Sequence, residues 1–145
     1  MNETVQLLQD VVRNARTGQD AVEHLMQKAE DGRMRNELMR ERRDYDDTRR
    51  ASERALANAG GREEPVSPLG KAGMWAGIEM QTLADRSDAH IAELVIQGAT
   101  MGVIEMTKAL NTYDGADAGA RNLASRFVVQ QNETIDRQKE FLVNG

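Results

Sequence analysis

Both prolines of this 145-residue chain, Pro65 and Pro68, fall in one short stretch, "NAGGREEPVSP". Proline lacks a backbone N–H and clashes with the preceding turn, so it breaks helices wherever it intrudes. Everything outside that stretch is free to form long helices, and the apolar pattern uses the freedom. Leu8, Val12, Ala15, Val22, Met26 and Ala29 recur at helical spacing along the first segment. Leu38, Tyr45, Ser52, Ala55, Leu56 and Ala59 do the same along the second. Asn2 can cap the first helix, and Asp31-Gly32 supplies a tight turn at its end. Two long helices joined by so short a turn lie antiparallel, as an αα-hairpin.

Beyond the proline stretch, Ser67-Pro68 reads as an N-cap with proline at the first helical position. A short helix over 68–84 is expected, with Trp75 as its large anchor. "DRSD" breaks it, and Ser87 or Asp88 can cap a third long helix. The sequence thus predicts one domain over residues 1–145, with helices over 3–30, 33–59, 68–84, 88–112 and 117–142. Helices of about 25 residues run to roughly 38 Å, a normal bundle length. Gly18, Met26, Lys28 and Ala29 recur eighty positions later as Gly98, Met106, Lys108 and Ala109, a weak echo between the halves. Hairpin, long crossover, hairpin is the connectivity of one class of four-helix bundle.

Composition narrows the function classes. Aromatics are only 3%, so the core must be built from aliphatic side chains and eight Met. No cysteine is present, which excludes disulfides, thiolate zinc sites and cysteine nucleophiles and agrees with a reducing cytoplasm. No apolar run reaches the length of a membrane span, and "MNETVQLLQD" lacks the basic and apolar regions of a signal peptide. A net charge of −5 argues against a nucleic-acid surface. Residues 32–54 hold eight arginines interleaved with six acids, which reads as a solvated helix laced by opposite charges.

Three segments, "RNARTGQDAVEHLMQKAED", "SPLGKAGMWAGIEMQTLADRSD" and "IQGATMGVIEMTKAL", carry a resemblance that covers almost the whole chain. In pattern and helix order the chain resembles the ferritin-like four-helix bundles, and more closely a family of small, uncharacterised bacterial ferritin-like proteins. The resemblance implies an all-α bundle of two antiparallel hairpins, with the short extra helix in the crossover. It also raises iron or manganese as a cofactor. Metal-binding members place one Glu on each of two helices and a Glu-x-x-His on each of the others, since residues three apart share a face. No Glu-x-x-His occurs here. Glu41-x-x-Asp44 and Glu133-x-x-Asp136 are the nearest substitutes, and Glu23 and Glu105 do not coincide under the eighty-residue shift.

His90-x-x-Glu93 has two-ligand spacing but sits in the first turn of its helix, where capping and solvation explain it. No phosphate-cradling loop and no Gly-x-Ser-x-Gly elbow is present. Gly98 and Gly102, four apart in the most apolar helix, each cost about 1 kcal/mol relative to Ala, which points to a close approach by another helix, a second subunit or a ligand. Glu105 follows one turn on; if buried it needs partners, and Gln131 or Tyr45 can supply them. The expectation is a cytoplasmic, non-catalytic structural or interaction module that forms a homo-oligomer and can take a protein partner, with no cofactor, nucleic acid or membrane. Gly98, Gly102, Trp75 and Gln131 are its packing or ligand-facing residues. The alternative is an iron- or manganese-binding oxidase or storage protein using Glu23, Glu41 and Glu105. A third reading, a small-molecule binder, calls for an apolar cavity beside Gly98 and Trp75 with few charges.

Overall fold

The computed structural model describes residues 2–64, 77 and 85–142. Four helices make up the fold: α1 (Glu3–Met26), α2 (Gly32–Asn58), α3 (Asp88–Thr112) and α4 (Ala118–Lys139). The helix expected over 68–84, with Trp75, lies outside the described residues.

Each helix starts at a side-chain cap, which satisfies an amide that no preceding turn can reach. Asn2 Oδ1 accepts from Thr4 N–H at 2.8 Å, and Ser87 Oγ from His90 N–H at 3.2 Å. Asp117 Oδ1 accepts from Ala120 N–H at 2.8 Å. Asp31 is a cap as well, accepting from Arg33 N–H at 2.6 Å. It therefore opens α2 rather than closing α1, and α1 stops at Met26 instead of 30. Gly60 follows α2 at φ +78°, and Gly61 N–H reaches back to Leu56 C=O at 2.9 Å. Only a residue without Cβ adopts that left-handed turn at no steric cost.

α1 packs chiefly on α2 and α3 on α4, giving two antiparallel hairpins; α1 also meets α3 and α4, and α2 meets α4. The core runs through Leu7, Leu8, Val11 and Val12 of α1, Leu38 and Leu56 of α2, Ile91 and Met106 of α3, and Phe127 of α4. The hairpins begin at Glu3 and Asp88, and their second helices at Gly32 and Ala118. Those offsets, 85 and 86 positions, are longer than the eighty of the sequence echo, so the echo does not superpose the halves. The two halves instead share a packing device. A Cβ on Gly18 would lie 2.4 Å from the Tyr45 ring, and one on Gly102 would lie 3.5 Å from the Phe127 ring. In both hairpins a glycine in the first helix lets an aromatic ring of the second come close.

Candidate functional site

Two polar stripes face each other inside the bundle. On α2 the buried positions are Leu38, Glu41, Tyr45, Thr48 and Ser52, spaced three and four apart. On α4 they are Phe127, Gln131, Thr134 and Gln138. The α4 stripe thus passes through Thr134 and Gln138, and the neighbouring Ile135 is only half-buried. Buried polar groups are normally hydrogen-bonded, and three pairs form across this interface, although Ser52 Oγ has no partner among the described residues. Tyr45 Oη donates to Gln131 Oε1 at 2.8 Å, and Thr48 Oγ1 to Gln130 Oε1 at 2.8 Å. Gln138 Nε2 donates to Glu41 Oε2 at 2.6 Å.

Glu41 is 0% exposed. Burial, and next the neighbouring Glu37 carboxylate, push its carboxyl up to about 9, against a smaller opposing effect of the Gln138 amide. The acid is therefore neutral at pH 7, because an ion there would lose its hydration without a cation in contact. Glu37 carries the charge instead, held by Arg137 Nε at 3.0 and 3.2 Å from its two oxygens. Burial likewise raises the Tyr45 hydroxyl, so it stays a donor.

On the other side of Tyr45 the bundle opens. A cleft of about 360 Å³ lies between α1 and α3, floored by Tyr45, Phe127 and Gln131. Gly18 and Ala21 form its α1 wall, and Gly98, Met101 and Gly102 its α3 wall. Among the described residues that line it, Glu105 is the one with a charged side chain. Met101 stands 55% exposed at this face, and Ile104 is 43% exposed one turn further along α3. Ligand and partner sites share this make-up of small and apolar walls with few, convergent polar groups.

The structure sets apart residues that the sequence grouped. Gly102 is buried, with an added Cβ 3.4 Å from Gln131 Oε1, so α4 approaches closely there. Gly98 is exposed to the cleft, and among the described residues nothing lies within 4 Å of where its Cβ would be. Glu105 is exposed at the rim, so the burial that would have required Gln131 or Tyr45 as its partner does not arise; those two bond each other. Glu23 is half-buried on α1 and accepts from Gln19 Nε2 at 3.2 Å. His90 Nδ1 lies 3.4 Å from Glu93 in the first turn of α3. Among the described residues no group of three or more His, Asp or Glu comes together as metal ligands. Glu41 is bonded to Gln138, Glu105 lies on the rim of the cleft, and Glu23 is bonded to its own helix, so the structure does not bring these three together. The partners that sequence reasoning missed are Thr134 and Gln138. Their three- and four-residue spacing beyond Gln131 was the available signal.

No family model matches the sequence, and no curated protein matches it. Among solved structures the chain is similar to the crystal structure of a DUF305 fragment from Deinococcus radiodurans, with a TM-score of 0.77 at 18% identity. That match covers 98% of this chain and 96% of the other. At such identity the likeness is one of fold alone, an all-α four-helix bundle. No helix among the described residues is long and apolar enough to cross a membrane.

Proposed function

We propose that this chain is a non-catalytic interaction module that pairs with a second copy of itself across the α1–α3 cleft. One observation carries the reading: an apolar cleft and an apolar side chain that could fill such a cleft lie on the same face. The hole is at Gly98, where α3 presents bare backbone. The knob is Met101, which lines the cleft and stands exposed one turn along the same helix. A two-fold axis brings the same patch of both copies together, so a face that carries both knob and hole is self-complementary. Met suits the role because its flexible thioether adapts to an irregular gap. Among the described residues the lining holds no histidine and no paired carboxylates, the groups that acid–base or metal chemistry would need. That composition favours binding over catalysis.

Sedimentation equilibrium over a wide concentration range tests the proposal. The wild-type chain is expected to associate, and Met101→Glu to remain monomeric, with the same thermal midpoint as wild type at concentrations too low for association, since Met101 is exposed in the single chain. A wild-type protein that stays monomeric at the highest concentration reached, or a Met101→Glu variant that associates as well as wild type, would sink the reading.

A further inference from the structure

Interleaved charges predict that the arginines of α2 neutralise its acids turn by turn. The second half of the helix behaves that way: Arg49 meets Asp46 at 2.6 Å and Glu53 at 3.1 Å, and Arg50 meets Asp46 at 2.9 Å. The first half does not. Its two glutamates turn inward, Glu41 to hold its proton in the core and Glu37 to bind Arg137 at 3.0 Å with its side chain only 11% exposed. Arg33, Arg40 and Arg43 are exposed, and among the described residues none of them has a carboxylate within 4 Å, although Arg40 acts at longer range on Asp44 and Arg33 on Asp88. All three line one groove of about 440 Å³ between the start of α2 and the end of α4, together with the Asn36 amide.

Within this groove Arg137 and Glu37 cancel, and among the described residues that line it Glu140 is the remaining acid beside Arg33, Arg40 and Arg43. Asp44, half-buried beside the groove, is drawn to Arg137 at 3.6 Å. The Arg33 guanidinium lies 5.3 Å over the Phe141 ring, a cation–π contact that fixes its plane. Arg40 and Arg43 stand one turn apart, about 4.5 Å along the axis, on the same side as Asn36. A guanidinium presents its N–H groups as a rigid fork that matches the oxygens of phosphate, and two forks one turn apart suit two linked phosphates. A locally basic groove in an acidic chain also concentrates anions that the rest of the surface repels.

We propose that the groove between α2 and α4 binds a small molecule bearing linked phosphates, gripped by Arg40 and Arg43 and flanked by Arg33 and Asn36. The site is separate from the α1–α3 cleft, so it stands whether or not the chain self-associates there.

The test is a titration of inorganic pyrophosphate into the full chain, followed by the arginine Nε–H and backbone amide resonances at constant ionic strength. Saturable shifts are expected at Arg40 and Arg43, and the Arg40→Gln/Arg43→Gln variant is expected to bind roughly tenfold or more weakly. Glu37→Gln is expected to bind more tightly, because it releases Arg137 toward the groove. Sulfate at the same ionic strength serves as the control for diffuse screening. Shifts that never saturate, shifts equal to those with sulfate, or shifts that survive in the double variant would overturn the site. Tighter binding of single-stranded RNA than of pyrophosphate, lost in the same variant, would overturn the small-molecule assignment.

Discussion

Gln138 and Glu41, 97 positions apart in sequence, meet through a 2.6 Å hydrogen bond in a place where neither has any exposed surface. The carboxyl is protonated there, pushed up to about 9, whereas in the unfolded chain it titrates near 4.5. Below pH 4.5 both states hold the proton and Glu41 makes stability no more pH-dependent. Between those values the folded state holds one proton more than the unfolded state, so its stability falls as pH rises, by at most about 1.4 kcal/mol per pH unit. Above the folded value the loss is complete and the slope vanishes. Urea unfolding at pH 5.5, 7 and 8.5 should show this decline in wild type and a flatter profile in Glu41→Gln, which keeps a neutral polar group in place. Parallel profiles in the two proteins would mean that Glu41 is ionised in the fold.

Substituting the three glycines that line the cleft should give three different results. Gly18→Ala drives a methyl into the Tyr45 ring, where a Cβ would lie 2.4 Å away, and should cost about 1–3 kcal/mol. Gly102→Ala meets Gln131 and Phe127 at 3.4 and 3.5 Å, near ordinary contact, so gain in helix propensity and crowding should nearly offset. Gly98→Ala meets nothing within 4 Å among the described residues and should stabilise the monomer by about 0.5–1 kcal/mol. Chemical unfolding at concentrations low enough to give monomer checks the order. A stabilised Gly18→Ala would show that the Tyr45 ring is not seated on α1.

This contrast shows where the sequence stops being informative. The four helices are legible because every cue agrees locally: Asn2 and Ser87 cap, apolar residues repeat, and the prolines are confined to one connection. The inward or outward fate of a single residue depends on its neighbours across the bundle. Glu41 and Glu105 each sit a turn from apolar side chains, yet one is fully buried and the other exposed. Gly98 and Gly102 seem one motif by spacing, but a helix presents residues four apart at an angle of about 40° to each other, enough to put one against α4 and one over the cleft. The basic groove was hidden for the same reason. Charge interleaving along α2 looks balanced until Glu37 and Glu41 are seen to face α4.

Tyr45 joins the cleft to the polar stripe behind it, because its ring floors the one and its hydroxyl donates to Gln131 in the other. Removing only the hydroxyl in Tyr45→Phe leaves Gln131 Oε1 buried without that donor, a loss of about 1–3 kcal/mol. Replacing both partners by apolar residues should cost less than the sum of the single changes, since no orphaned acceptor remains. A double-mutant cycle of Tyr45→Phe with Gln131→Leu, followed by thermal unfolding, measures that coupling. Strict additivity would mean that the 2.8 Å bond contributes nothing to specifying how α2 and α4 align.

The arrangement of carboxylates also predicts metal content. A bundle-centre iron or manganese ion needs several deprotonated oxygen ligands converging on one point. Glu41 supplies a protonated carboxyl already bonded to Gln138, and to use it a metal would have to displace that proton and the amide together. Glu105 opens to the opposite side of Tyr45, on the cleft rim, and Glu23 is bonded to Gln19 on α1. Protein grown with added iron and manganese and purified without chelator should therefore carry far less than one ion per chain by elemental analysis. The trace that remains should be the same in Glu41→Gln and Glu105→Gln. Near-stoichiometric metal lost in either variant would mean that α2 and α4 rearrange around an ion, and the neutral Glu41–Gln138 pair would then describe only the metal-free protein.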